Sequence, residues 1–260
     1  MKKIAFLFFA AAGIFVSCSS DDDATNNSTP EESENVFFPL ENSDYWVYNV
    51  DGSLQDGRDS LYVANDTVIG TQTYKKLKTK EAPTGFFNAA LRNNGIRKDG
   101  DMLLVSGSAS INVSEDFPFS ISITDLPLLK ENANPGDVIG TVTGTTTQAY
   151  SGINFRLDYT LTTTAKEDLN NLIVNGRTFA EVENVETKIN LKISMADVPD
   201  FVLLAPQDVL VSQQYYAKNV GLIKTDSHFT YSINPTLANS FGIPATANET
   251  QQELLILYNE

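Results

Sequence analysis

The chain contains very few of the side chains that build metal and redox sites. Its 260 residues include one cysteine, one histidine and one tryptophan. A His/Cys zinc site, an iron–sulfur cluster or a disulfide framework requires several such side chains, so the composition excludes all three. We therefore expect no cofactor.

Basic residues are also scarce. The chain has 18 Lys and Arg against 33 Asp and Glu, which gives a net charge of −15. Because nucleic-acid binding depends on clustered Lys and Arg, we expect no nucleic-acid partner. Hydrophobic residues make up 42% of the chain, which is enough for the core of one domain.

The sequence offers little material for the familiar catalytic arrangements. His228 is the single imidazole, and no Gly-x-Ser-x-Gly nucleophile motif is present. Glycoside hydrolysis needs only two carboxylates, and the nearest pairs are Glu115 with Asp116 and Glu181 with Glu183. We interpret the second pair as part of an exposed strand edge. The chain is predicted not to be an enzyme.

One oxygen-rich segment is a candidate metal-binding loop. Residues 51–59 read Asp-Gly-Ser-Leu-Gln-Asp-Gly-Arg-Asp, which lacks the full Asp-x-Asp-x-Asp-Gly…Glu pattern of the helical calcium loop. We interpret the segment as a polar hairpin and predict no metal site. A weak calcium site is the alternative.

The N-terminus has the pattern of a secretory signal peptide. Two lysines precede an apolar run over residues 4–16, and Ser17-Cys18 follows it. As a helix this run would span only about 20 Å, less than the roughly 30 Å of a bilayer core. Phe15-Val16-Ser17-Cys18 resembles a bacterial lipobox, which implies removal of residues 1–17 and acylation of Cys18. An ordinary signal with a chance cysteine is the alternative.

Acidic residues follow this cysteine. Ser20, Asp21, Asp22 and Asp23 resemble the surface-export signal of Bacteroidetes lipoproteins, although they also suit the solvated start of a tether. Residues 18–35 contain no large apolar side chain and are predicted to be a disordered acidic tether. We expect a lipid anchor in the outer membrane and a location at the cell surface. The periplasmic face is the alternative.

Residues 36–260 read as a single antiparallel β domain. Apolar and polar residues alternate with a period of two in three segments, which places one face on a core and the other in water: residues 117–124, 153–161 and 188–193. The pattern predicts an all-β fold, a curved antiparallel sheet or an open half-barrel with at most one or two short helices. Residues 208–217 and 247–257 are ambiguous between helix and strand.

Turn motifs separate the predicted strands. The clearest hairpin runs over residues 172–179 around Asn175-Gly176, and Asn134-Pro135-Gly136-Asp137 is a second turn. Gly221 is expected to permit a bulge or a close backbone approach. The apolar run over residues 253–260 is interpreted as a strand buried on both faces, with an interaction tail as the alternative.

Two segments carry a family resemblance. Phe38-Pro39-Leu40 precedes Trp46-Val47-Tyr48 near the start, and residues 215–224 read Tyr-Tyr-Ala-Lys-Asn-Val-Gly-Leu-Ile-Lys. The Phe-Pro-Leu…Trp-x-Tyr opening and the Tyr-x-Ala-x-x-Val-Gly-Leu-Ile-Lys closing motif resemble a family of uncharacterised Bacteroidetes outer-membrane lipoproteins. This resemblance implies a curved sheet similar to the LolA-like half-barrels that carry lipoproteins or lipids. It implies no activity.

Several residues are candidates for binding and modification. A concave ligand face is predicted from aromatic side chains: Trp46, Phe86, Phe87, Phe117, Phe119 and Tyr215. For Trp46 the preferred interpretation is a core anchor, and a sugar-stacking platform is the alternative. Ser60 and Thr67 follow aspartates in a pattern that resembles the O-glycosylation acceptor of Bacteroidetes.

Three functions are compatible with these features, in the following order. The first is a non-enzymatic cell-envelope lipoprotein that binds an apolar or carbohydrate ligand on its curved sheet. The second is a structural or accessory subunit of an outer-membrane complex, which predicts an exposed apolar patch. The third is a hydrolase with paired carboxylates. The expected partners are the membrane, through the lipid, and either a small ligand or an envelope protein.

Overall fold

A computed structural model of the chain describes residues 36–53, 55–114 and 117–259, except for the side chains of residues 111–119. The predicted signal peptide, Cys18, the export residues Ser20 to Asp23 and the tether lie outside the described residues. In the part described, thirteen strands form one antiparallel sheet in the order β6-β5-β4-β3-β2-β1-β13-β12-β11-β10-β8-β7, and β9 pairs with β10.

The elements follow one another along the chain with short connections. In order they are β1 (Tyr45–Gly52), β2 (Gly57–Ile69), β3 (Gln72–Thr79), α1 (Phe86–Leu91), β4 (Gly95–Asp99), β5 (Met102–Ser114), β6 (Phe117–Lys130), β7 (Val138–Tyr150), β8 (Ile153–Ala165), β9 (Leu169–Val174), β10 (Arg177–Met195), β11 (Val202–Ala217), β12 (Gly221–Ser232), α2 (Pro235–Phe241) and β13 (Thr246–Tyr258).

The alternating patterns predict the core correctly. In β8, Phe155 and Leu157 are fully buried, whereas Arg156 between them is exposed. In β10, Leu191 and Ile193 are buried in the same way. The predicted all-β fold is confirmed, and the Asn175-Gly176 hairpin between β9 and β10 is present, with both residues at positive φ.

The sheet curves until its two edge strands, β6 and β7, come close together. No backbone ladder joins these two strands among the described residues. Side chains of β8 connect them instead: the Tyr159 hydroxyl donates to the Ser122 carbonyl at 3.2 Å, and the Thr163 hydroxyl to the Pro127 carbonyl at 2.7 Å. The result is a nearly closed, barrel-like sheet rather than an open half-barrel.

The two motifs of the family resemblance contact each other in the fold. The Trp46 indole N–H donates to the Val220 carbonyl at 2.6 Å, and the Tyr48 hydroxyl to the Leu222 carbonyl at 2.9 Å. Gly221 has φ +102, and a Cβ there would lie 3.0 Å from the Trp46 ring nitrogen. The predicted close approach at this glycine is therefore confirmed.

The C-terminal strand lies inside the sheet and not at its closing edge. β13 pairs with β12 on one side and with β1 on the other. The prediction that it is buried on both faces is wrong, because Glu253 and Leu255 face the core whereas Leu257 is 42% exposed. The ambiguous residues 208–217 belong to strand β11, and residues 247–257 belong to β13.

Both helices are short and lie where the periodicity gave no signal. α2 has clear end signals: the Asn234 side chain caps its first turn, Pro235 begins it, and Gly242 ends it in the left-handed region. The N-cap residue of α1 is Gly85, which has no side chain to cap the helix. No helix in the described part of the chain is long and apolar enough to cross a membrane.

Candidate functional site

A small apolar cavity lies inside the sheet, beneath α1. Its volume is about 70 Å³, and its lining includes Phe86 and Phe87 of α1 together with Ile123, Leu161 and Leu210 of the sheet. Sites for drug-sized ligands measure about 300–1,000 Å³. This cavity is therefore too small for a lipid or an oligosaccharide.

The predicted ligand face is not assembled as one surface. Phe86 and Phe87 line the inner cavity. Trp46 is 1% exposed and stacks on Phe38 at a centroid distance of 4.8 Å, so it is a core residue. Tyr215 lies on the other face of the sheet, next to the fully buried Tyr216. The side chains of Phe117 and Phe119 lie outside what the structure describes.

Helix α1 is held in the interior by three polar side chains. Asp59 of β2 accepts from the backbone N–H groups of Thr84 and Gly85, at 2.8 and 2.7 Å. Gln251 of β13 accepts from Phe86 at 2.6 Å. Glu253 of β13 accepts from the backbone N–H groups of Phe87 and Asn88, at 2.6 and 3.2 Å, and from the Asn88 side chain. We call Asp59, Gln251 and Glu253 the α1 clamp.

The α1 clamp satisfies five consecutive N–H groups over residues 84–88. A helix start leaves such groups without partners, and leaving them unpaired in the interior is costly. Glu253 is fully buried. Burial raises the pKa of Glu253 to about 7, and the charge of Asp59 adds to this rise, although the N–H donors of α1 oppose it. Gly85 makes room for this carboxylate, because a Cβ there would lie 2.3 Å from it.

A large concavity lies on the outer face of the sheet, over β13, β1 and β2. It has a volume of about 770 Å³, and its wall on one side is the segment that leads from β3 to α1. We call it the outer groove. Its lining includes Ser43, Tyr45, Val47, Arg58, Ser60, Tyr62, Lys80, Glu81 and Leu257.

Strand register explains why these side chains meet. Tyr45 of β1 is paired directly with Tyr62 of β2, and Val47 is paired with Ser60 on one side and with Leu257 on the other. Their neighbours Trp46 and Leu61 are buried. Since side chains alternate along a strand, the paired residues face outward together. Two tyrosine rings therefore stand beside an aliphatic floor.

The candidate glycosylation sites lie on β2. Ser60 is in the outer groove. The aspartate before it, Asp59, is 4% exposed and belongs to the α1 clamp. An aspartate at this position is therefore explained by its structural role. Thr67 is paired with Tyr74, and the preceding Asp66 forms an ion pair with Lys75 at 2.6 Å.

Of the candidate catalytic acids, Glu181 and Glu183 have different surroundings. Glu181 is exposed and binds Lys218 at 2.5 Å. Glu183 is 7% exposed and accepts from the backbone N–H of Asn132 at 3.0 Å. Burial raises the pKa of Glu183 to about 7, and Asp168 and Glu131 contribute to this rise. The predicted strand edge is wrong here, because β10 lies between β9 or β8 and β11.

Of the remaining candidates, His228 and the start of the oxygen-rich segment at Asp51 line one concavity of about 460 Å³. Glu115 and Asp116 lie outside the described residues. His228 is exposed, and its Nε2 lies 2.6 Å from the Asn248 side-chain oxygen. The oxygen-rich segment over residues 51–59 spans the end of β1 and the start of β2, as predicted for a hairpin. Among the described residues, no group of three or more His, Cys, Asp or Glu side chains is placed to hold a metal ion.

Sequence reasoning missed the outer groove. The available signal was apolar and aromatic residues at outward-facing positions of β1 and β2. Tyr45, Val47 and Tyr62 occupy positions where a strand with one face in water usually carries polar residues. Recognising that signal required the pairing of β1 with β2 and β13, which the sequence alone does not specify.

Comparison with known proteins gives similarity at the level of structure only. No family model and no curated protein sequence matches the chain. A Bacteroides fragilis protein inferred to be exported, with a YMCC-like fold, has 8% identity and a TM-score of 0.43, over 87% of this chain and 100% of that one. A Parabacteroides distasonis protein inferred to be a lipoprotein has 9% identity and a TM-score of 0.43, over 86% and 99%.

Proposed function

We propose that this chain is a non-enzymatic, lipid-anchored envelope protein that binds carbohydrate in its outer groove. The observation that carries the proposal is the groove itself, at about 770 Å³ the size of a small-ligand site. The lipid anchor on Cys18 and the outer-membrane location are part of the proposal, and they rest on the sequence pattern of residues 1–23.

The chemistry of the groove suits a sugar better than a lipid. Tyr45 and Tyr62 offer apolar ring faces that also carry hydroxyl groups. Ser43 and Ser60 add hydroxyls, and Glu81 adds a carboxylate acceptor. A sugar ring has an apolar face and a polar rim, which this mixture of groups matches. A lipid tail needs an enclosed apolar cavity, and the inner cavity of about 70 Å³ does not admit one.

The docking-subunit alternative has weaker support. The large apolar side chains most exposed in the described chain are Val68, Val138, Ile173, Val198 and Leu257. They belong to different strands and loops. Scattered single residues of this kind are normal on a soluble surface, and an interaction patch is contiguous.

Glycan binding to the full-length protein, purified in detergent, tests the proposal. A panel of oligosaccharides is screened first, and hits are titrated calorimetrically. We expect Tyr62→Ala to weaken binding about tenfold or more, because it removes one of the two rings. Tyr215→Ala is the matched control, since Tyr215 is a partly buried tyrosine on the outer face of β11.

Two outcomes would overturn the proposal. One is that no oligosaccharide in the panel binds. The other is that Tyr62→Ala and Tyr215→Ala bind equally well. Native mass spectrometry of the same preparation adds an independent readout, because a bound glycan gives a mass excess that disappears on denaturation.

A further inference from the structure

At least half of the 16 Lys and Arg side chains in residues 36–260 form an ion pair with a carboxylate. Eight Lys and Arg side chains form ion pairs with N–O distances from 2.5 to 3.5 Å, namely Lys75, Arg97, Lys98, Arg156, Lys166, Lys188, Lys218 and Lys224. This is expected where acids outnumber bases, and residues 36–260 carry 27 acidic and 16 basic side chains.

Four of the cations outside these ion pairs lie together beside the outer groove. Lys76, Lys78 and Lys80 follow one another at every second position, at the end of β3 and just beyond it. Arg58 is at the start of β2. None of the four forms an ion pair with a described residue. We call these four residues the basic stripe.

Strand geometry places the basic stripe on the same face as the groove. Leu77 is fully buried, so its neighbours Lys76 and Lys78 face outward. Lys78 is paired with Tyr62, one of the two tyrosines of the groove. Lys80 and Arg58 line the groove itself. The stripe therefore extends one wall of the groove along β3.

The stripe is electrostatically unusual for this protein. Lysines two positions apart on a strand are about 7 Å apart, and in water their repulsion is about 0.6 kcal/mol per pair before salt screening. Among the described residues that line the groove, the acids are Asp59 and Glu81. Asp59 faces inward and is occupied by the α1 clamp, so of these two only Glu81 has an exposed side chain.

We propose that the ligand of the outer groove is an anionic oligosaccharide, carboxylated or sulfated, whose charges contact Lys76, Lys78, Lys80 and Arg58. This inference rests on the proposed carbohydrate function and specifies the class of sugar. The tyrosines hold the ring, and the basic stripe selects the charge. Arg58 suits a carboxylate or a sulfate because its planar guanidinium donates two parallel hydrogen bonds.

The test compares anionic and neutral oligosaccharides of equal length on the full-length protein, at low and at physiological salt. We expect the anionic ligand to bind about tenfold or more tightly at low salt, and salt to weaken this preference. A triple variant of Lys76→Gln, Lys78→Gln and Lys80→Gln should lose the preference, because its affinity for the anionic sugar falls more than its affinity for the neutral one.

A second triple variant controls for net charge. Lys98→Gln, Lys166→Gln and Lys218→Gln remove three positive charges elsewhere, all from lysines in surface ion pairs. This variant should keep the preference for the anionic sugar. Equal loss in both variants would overturn the inference, because the effect would then come from total charge.

The outcomes separate this inference from the proposed function. If neutral sugars bind and anionic ones bind no better, the basic stripe plays no part and only this inference fails. If no sugar binds, both fail. If the protein binds vesicles of anionic phospholipid through the stripe but binds no sugar, the ligand is a membrane surface and both are overturned. Thermal unfolding of each variant checks that it is folded.

Discussion

The α1 clamp and the basic stripe are two groups of polar residues in the β3-β2-β1-β13 part of the sheet, and their surroundings are opposite. In the clamp, the carboxylates of Asp59 and Glu253 are buried, and each accepts from two or more donors. In the stripe, Lys76, Lys78 and Lys80 face solvent without a partner among the described residues. One group is satisfied within the fold and the other is not.

This difference distinguishes a structural role from a binding role. A buried carboxylate without donors would destabilise the fold, so the clamp residues are fixed by the requirements of α1. Exposed lysines contribute little to stability whether or not they are paired. Their clustering beside the outer groove therefore requires another explanation, and an anionic ligand provides one.

Removing the carboxylate of the clamp should have the largest effect on stability. Glu253→Ala leaves two backbone N–H groups of α1 and the Asn88 side chain without their acceptor. We expect a loss of about 3 kcal/mol in the free energy of unfolding, measured by urea denaturation. The triple lysine variant of the stripe should lose less than about 1 kcal/mol. Similar losses in the two variants would contradict the comparison.

Crowding the clamp without changing any charge should have the next largest effect. Gly85→Ala places a Cβ 2.3 Å from the Glu253 carboxyl carbon and so forces α1 away from β13. We expect a loss of about 2 kcal/mol in the free energy of unfolding. The control is Gly100→Ala, where φ is +61 and the space is open, with an expected loss of about 1 kcal/mol. A larger loss in the control would show that the clamp tolerates displacement.

The clamp should also make stability depend on pH. The pKa of Glu253 is about 7 in the fold and close to its ordinary 4.5 in the unfolded chain. Between these values the folded state holds a proton that the unfolded state has lost, so stability falls as pH rises from about 4.5 to about 7. Glu183 acts in the same direction, because its pKa is also about 7.

Urea denaturation at several pH values checks this dependence. We expect Glu253→Gln to flatten the fall in stability toward neutral pH, and Glu253→Gln with Glu183→Gln to flatten it further. Asp125 provides an internal control at acid pH, because its effect on stability has the opposite sign to that of Glu253. Its pKa is lowered by Arg97, so its stabilising effect is lost as pH falls below its ordinary pKa of 3.8. An unchanged slope in Glu253→Gln would show that Glu253 is not the titrating group.

The smallest effect on stability is expected in the groove. Tyr62 is half-buried on the outer face, and Tyr62→Ala should cost less than about 1 kcal/mol in the free energy of unfolding. The same change should remove most of the glycan affinity. If it unfolds the protein instead, Tyr62 belongs to the core and the division between the two regions does not hold.

The sequence determined the β class, the hairpins and the inward positions of the core strands. Alternation identified Phe155, Leu157, Leu191 and Ile193 as core residues, because a strand of an antiparallel sheet has one face on the core and the other in water. Asn175-Gly176 fixed a hairpin for a local reason, since both residues tolerate positive φ. These features depend on neighbours close in the chain, so a single sequence specifies them.

Only the tertiary structure decided where the concavities lie. Glu253 follows Asp59 by nearly two hundred residues, yet both hold the start of α1. The outer groove exists because Tyr45 pairs with Tyr62 and Val47 with Leu257, a register set between distant strands. Sequence alternation shows that a side chain faces outward, whereas strand pairing decides which side chains lie next to it. The sequence predicted a curved sheet or an open half-barrel, and the β8 side chains that reach β6 decided how far the sheet closes.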